Sequence, residues 1–107
     1  MHVQIITYNL ESATQQDYLA LCDELAPIFA KMPGLQAKYW LADSVTNTYG
    51  GVYFWINRAA MEAYMSGEVA ASVAAHPNLA NIVSNDFDIL EAPTQETSRL
   101  PLREIAR

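Results

Sequence analysis

Several features are scarce in this 107-residue chain, and each scarcity excludes something. There is one cysteine, Cys22, so no internal disulfide can form; a reducing cytoplasm is the expected compartment. Lys and Arg number only 6 against 12 Asp and Glu, for a net charge of −6, and the basic residues do not cluster. Nucleic acid and anionic membranes are therefore not expected partners. No apolar run reaches the roughly 18 residues of a membrane span, and MHVQIITYNL lacks the basic start and small-residue cleavage site of a secretory signal. Only two histidines occur, His2 and His76, far apart and outside any H-x-x-x-H spacing, so no metal site is expected. Glycine is also scarce, at 4 residues, and Gly50-Gly51 is an isolated pair rather than a phosphate-binding loop. A bulge or a close backbone approach is the simpler reading of that pair.

What remains is a globular composition, 51% hydrophobic and 17% charged, long enough for one domain and one core. His2 to Asn9 alternates and is rich in Val, Ile, Thr and Tyr, as a strand does. Thr14 with Asp17 three residues later is close to a capping box, and Ser12 with Gln15 is a competing version. Tyr18, Leu21, Cys22, Leu25, Ile28, Phe29 and Met32 then follow at helical spacing. Pro27 inside that run predicts a kink or a tightened last turn, and Pro33-Gly34 a stop.

Leu35 to Asp43 and Gly50 to Ile56 read as strands joined by a polar connection. Asn57 caps a helix bearing Met61, Tyr64 and Met65, Gly67 breaks it, and a second helical piece from Glu68 stops at His76-Pro77. Ile82 to Leu90 is the fourth strand. The expected fold is α+β, ferredoxin-like β-α-β-β-α-β, a four-stranded antiparallel sheet with helices on one face. The domain spans residues 1–92, and residues 93–107 read as an irregular tail.

Neither face of the central hairpin is polar. Pairing Asp43 with Gly50 sets Trp40 opposite Tyr53 and Lys38 opposite Trp55, gathering Lys38, Trp40, Tyr53 and Trp55 on one face. Ala37, Tyr39, Leu41, Val52, Phe54 and Ile56 form an aliphatic opposite face. Helices cover only one side, so a second copy of the sheet, or the folded-over tail, must cover the other. The face with donors on aromatic bodies and a cation beside an indole is the candidate pocket.

The stretches PGLQAKYWLAD, YGGVYFW, AAMEAY and NDFDILEAPT resemble the YdhR-like monooxygenases of the dimeric α+β barrel superfamily. The resemblance runs over about residues 3–95 and rests on Pro33-Gly34, Lys38, Trp40, Gly50-Gly51-Val52-Tyr53, Ala63-Tyr64 and Phe87-Asp88. It implies a homodimer through the sheet, a pocket between sheet and helices, and oxygenation without metal or flavin. Such chemistry needs a base to deprotonate a small aromatic phenol, an apolar pocket, and donors for the developing anion, with dioxygen as co-substrate.

Candidate catalytic residues are His76, whose free pKa near 6.5 suits a base, Asp86 in an otherwise apolar strand, and Tyr53. Candidate substrate-binding residues are Lys38, Trp40, Trp55 and Tyr64. Each has a structural alternative. His76 can cap a helix end, and Asp86 and Asp88 can be solvated edge charges. Lys38 can lay its stem on Trp55 with its ammonium in water, and the aromatic residues can be dimer core. Cys22 reads as buried packing. Non-oxidative cyclisation or isomerisation, or ligand binding alone, in the same pocket are the competing functions.

Overall fold

The computed structural model describes residues 1–99. The elements run β1 (His2–Leu10), α1 (Gln15–Ala30), β2 (Leu35–Asp43), β3 (Thr48–Trp55), α2 (Arg58–Met65), α3 (Glu68–Ala74), β4 (Leu79–Asp88) and α4 (Glu91–Thr97). The four strands form one antiparallel sheet in the order β2-β3-β1-β4, the ferredoxin-like arrangement expected. None of the described helices is long and apolar enough to cross a membrane.

Local chemistry accounts for the boundaries. The Thr14 hydroxyl accepts from the Asp17 amide at 3.1 Å while the Asp17 carboxylate accepts from the Thr14 amide at 2.9 Å, a complete capping box that starts α1. Pro27 does not break the helix. The chain instead tightens beyond it, with the amides of Lys31 and Met32 donating to the carbonyls of Ile28 and Phe29, three residues back. The stripe on α1 is narrower than its sequence spacing implies. Tyr18 and Phe29 are buried, whereas Ile28, next to the exposed Pro27, is 45% exposed. Asn57 caps α2, its side-chain carbonyl accepting from the Ala60 amide at 2.9 Å.

The hairpin register is two residues tighter than expected. Asp43 pairs with Thr48, Trp40 with Gly51 and Lys38 with Tyr53. The reason is the turn. The Asp43 carboxylate accepts from the Val45 amide at 3.0 Å, and Asn47 turns the chain at φ 51°, so β3 begins at Thr48 rather than Gly50. A slip of two residues preserves the alternation of faces, so the predicted grouping of side chains stands. Past β4 the chain is not irregular throughout, since Glu91–Thr97 forms α4. Pro93 sits in its first turn, where a helix needs no amide donor. Residues 100–107, the rest of the expected tail, lie outside the described residues.

Burial follows the alternation. On β1, His2, Gln4, Ile6 and Tyr8 are buried beneath the helices, and the intervening residues are half-buried on the open face. On β3, Tyr49, Tyr53 and Trp55 join them, completing a core with Tyr18, Phe29, Met61, Tyr64 and Leu79.

Candidate functional site: an aromatic cage around Lys38

The core under the helices is mostly aromatic, and at the β2 edge it encloses a lysine. Lys38 projects from β2 toward α1, with Nζ 3.4 Å from the Trp40 ring centre, 3.6 Å from that of Phe29 and 4.7 Å from that of Tyr53. Phe29 reaches down from α1, edge-on to Trp40 at 5.8 Å and 85° and to Tyr53 at 5.7 Å. Behind Tyr53, Trp55 stacks parallel to it at 6.0 Å, and Tyr64 of α2 contacts both rings. Trp55 is fully buried and its indole N–H donates to the Gln4 side-chain carbonyl at 3.0 Å. That bond fixes the ring on which the cage is stacked.

Gly51 makes room for the lysine. It faces Trp40 across the hairpin, and a β-carbon built on it would sit 2.9 Å from Cε of Lys38. Gly50, one residue earlier, answers a different demand. Its φ is 152°, and a β-carbon there would lie 1.9 Å from the Ile6 carbonyl oxygen. The pair is thus the close backbone approach expected, with a second role added at Gly51.

Electrostatically the cage opposes charge. Burial draws the Lys38 amine down from the ordinary lysine value to about 7. The ring faces act in the other direction, attracting the ammonium by about 0.5–2 kcal/mol, and offset part of that burial cost. No described carboxylate pairs with it. Burial also raises the hydroxyls of Tyr53 and Tyr64 and the thiol of Cys22, keeping all three protonated.

A cleft runs between α1 and β2, divided by the Trp40 side chain. On one side lies a cavity of about 230 Å³ walled by Ala26, Phe29, Ala30, Gln36 and Lys38. On the other, one of about 300 Å³ is walled by Leu19, Cys22, Ala26, Leu41 and Tyr49. The second reaches the lower end of ordinary small-molecule sites.

Of the sequence candidates, Lys38, Trp40, Tyr53, Trp55 and Tyr64 come together. Lys38 and Trp40 face the cleft, and the other three form the wall behind them. The Lys38 ammonium is not laid out in water along Trp55 but turned in against Trp40 and Phe29. His76 and Asp86 are elsewhere. His76 follows α3, where its Nδ1 accepts from the Asn78 amide at 3.1 Å, and it lines a separate cavity with Leu10, Asp17, Tyr18 and Leu79. Asp86 is on β4, the opposite sheet edge from β2. There His2 Nε2 lies 2.6 Å from Asp86 and His2 Nδ1 lies 2.7 Å from Asp88, so the two aspartates flank a buried histidine. Among the described residues no group of three or more His, Cys, Asp or Glu is arranged to hold a metal ion.

Sequence reasoning missed Phe29 as cage wall, Gly51 as space-maker and Cys22 as cleft lining. One signal for the cleft was present: Cys22, Ala26 and Ala30 recur every four residues on α1, a stripe of small side chains that cannot close against β2.

The four-stranded ferredoxin-like sheet with helices on one face is a fold shared with several solved structures. A putative antibiotic biosynthesis monooxygenase from Deinococcus radiodurans superposes with a TM-score of 0.72 at 17% identity, over 86% of this chain and 95% of that one. SnoaB, a cofactor-independent oxygenase from Streptomyces nogalater, gives 0.67 at 14% identity, over 94% and 96% of the two chains. The heme-degrader MhuD from Mycobacterium tuberculosis, solved with two hemes in its active site, gives 0.67 at 18%, over 84% and 96%. A search of curated proteins finds no match. The family described as "Putative mono-oxygenase ydhR" matches residues 3–99, and the chain belongs to that family. A general monooxygenase-like role follows from membership.

Proposed function

We propose that the protein is a cofactor-independent monooxygenase that oxidises a small aromatic or polycyclic phenol with dioxygen in the cleft between α1 and β2. The observation that carries this reading is the Lys38 amine, caged by rings at the cleft wall with no carboxylate partner among the described residues. A phenol stacked on Trp40 brings an acidic O–H to an amine that is partly unprotonated near neutrality. Transfer of that proton leaves a phenolate beside an ammonium, and the electron-rich ring then reacts with dioxygen. For an anthrone-type substrate the balance closes without a reductant: the ring methylene becomes a carbonyl, taking one oxygen atom, and the other leaves as water with both hydrogens. Tyr53, held protonated by burial, lies behind Lys38 and supports the placement of its amine rather than donating into the cleft. Trp55 and Tyr64 position Tyr53. Proton transfer is assigned to Lys38 rather than to His76 or Asp86, which lie outside the cleft.

Heme, the ligand of one structural neighbour, does not suit this cleft. Axial donors are most often histidine, and both histidines of the chain lie elsewhere; the cleft offers Cys22, its thiol raised by burial, and the phenols Tyr18, raised by burial, and Tyr49. Among the described residues a single cation, Lys38, faces the cleft. No step is therefore routed through heme. The assembly proposed with this function is a cytoplasmic homodimer joined through the open face of the sheet.

The test is oxygen uptake with a panel of hydroquinones and anthrones, using ¹⁸O-labelled dioxygen to follow the transferred atom. Turnover with one labelled oxygen in the product is expected, falling about 10²-fold or more in Lys38→Met. Absence of turnover above buffer in folded protein overturns the reading. Product formation under nitrogen would instead mark a cyclase or isomerase using the same cleft.

A further inference from the structure

The chain has two lysines, Lys31 and Lys38, in opposite environments. Lys31 caps the C-terminal end of α1 and is exposed. Lys38 is half-buried, its Nζ against the faces of Trp40 and Phe29, and it walls the cavity of about 230 Å³ beside Gln36, Ala26 and Ala30. An amine so placed is more than a base. It has an apolar wall on one side, space on the other, and no described anion to hold its proton.

We infer that Lys38 is a nucleophilic amine that captures a small aldehyde or ketone in this cleft as an imine. The nitrogen lone pair attacks the carbonyl carbon and a C–N bond forms. Two protons from the nitrogen and the carbonyl oxygen then leave as water, so no oxidant or reductant enters. The protonated imine carries the same single charge as the ammonium it replaces, and the Trp40 and Phe29 faces stabilise either cation. An aromatic aldehyde gains a stacking surface on Trp40, whereas an exposed lysine offers none. The titratable groups facing Lys38 are Cys22 from α1 and Tyr53 from β3, with Tyr64 of α2 behind; burial raises all three, so they stay neutral near pH 7. The drop of the amine to about 7 then leaves a substantial share of it unprotonated there. This activity needs no dioxygen and does not rest on the oxygenase reading.

The experiment treats the full chain with 4-hydroxybenzaldehyde and cyanoborohydride at pH 7 and maps the reduced adduct by mass spectrometry, with Lys31 as internal reference. Lys38 is expected to be modified at least about tenfold faster than Lys31. Lys38→Arg should lose the fast adduct while keeping a native near-ultraviolet dichroism spectrum. Because Lys38→Arg removes the site outright, Gly51→Ala provides a second readout: it displaces the lysine stem, and Lys38 should then react at the Lys31 rate. Modification of Lys38 no faster than Lys31 at pH 7, or fast modification that persists unchanged in Gly51→Ala, overturns the inference.

Discussion

Lys38 is costly to the fold. Its amine is drawn down from 10.5 to about 7 by burial. Free energy changes by about 1.4 kcal/mol per pH unit of such a displacement, and the ring faces offset about 0.5–2 kcal/mol of it. The net cost is on the order of a few kcal/mol. The sign follows from proton counting. Below about pH 7 the amine is charged in folded and unfolded chains alike, and the full cost applies. Between about 7 and 10.5 the unfolded chain binds more protons, so this group's contribution to stability rises with pH. Lys38→Met keeps the stem volume and removes the charge. It should raise Tm at pH 6 by several degrees, at about 4–8 °C per kcal/mol for a domain of this size, and the gap should narrow at pH 9. Thermal unfolding at the two pH values checks this. A variant less stable than the parent at pH 6 would mean that ring attraction outweighs burial. A charged group placed at a cost to stability is what a functional residue looks like.

At the scale of elements, two adjacent glycines on β3 separate scaffold from site. Gly50→Ala would drive a β-carbon into the Ile6 carbonyl at φ 152°, where neither strand can give way without breaking the β1–β3 ladder. It should lose about 3 kcal/mol or more, or fail to fold. Gly51→Ala meets the flexible stem of Lys38 and the edge of Tyr53, with the Tyr39 carbonyl at an ordinary contact of 3.4 Å. It should fold with a loss of about 1 kcal/mol or less, and yet displace Nζ from the rings. Chemical denaturation of both variants, with adduct formation as the second readout, distinguishes these roles. Equal loss of stability in the two would contradict the distinction.

The same scale explains what could be read in advance. Strand order and the mixed aromatic face of the hairpin were legible because alternation survives a two-residue register slip. Phe29 was visible as a stripe residue but not as a cage wall, since how far α1 stands off β2 is set by the small side chains between them. The partnership of His2 with Asp86 and Asp88 joins residues 84 and 86 positions apart. Only the pairing of β1 with β4 brings them together. His76 and Lys38 both border α1 cavities, and nothing in the spacing told that they lie on different ones.

For the whole molecule, the helices cover one side of the sheet and leave the other apolar. Val3 and Ile5 of β1, Tyr39 of β2, Val52 and Phe54 of β3, and Val83 and Phe87 of β4 share that open side. Tyr39 is 46% exposed, Val83 50% and Phe87 57%, and Tyr39 and Phe54 contact edge-to-face at 5.8 Å. A contiguous patch spanning four strands is more than a monomer ordinarily leaves in water. A two-fold copy of the same sheet is self-complementary to it. The expected particle mass by light scattering is therefore twice the 11.9 kDa of the chain. Phe54→Glu, which sets two like charges near the centre of such an interface, should shift it toward 11.9 kDa or into aggregates. A parent protein that stays at 11.9 kDa at tens of micromolar would sink the dimer. The cleft provides the internal control. Its residues come from α1, β2 and β3 of one chain, and the caged amine faces away from the open side. A soluble monomeric Phe54→Glu variant should therefore keep fast adduct formation at Lys38. Loss of both together, in a variant that remains folded, would mean that sheet pairing holds the cage in shape.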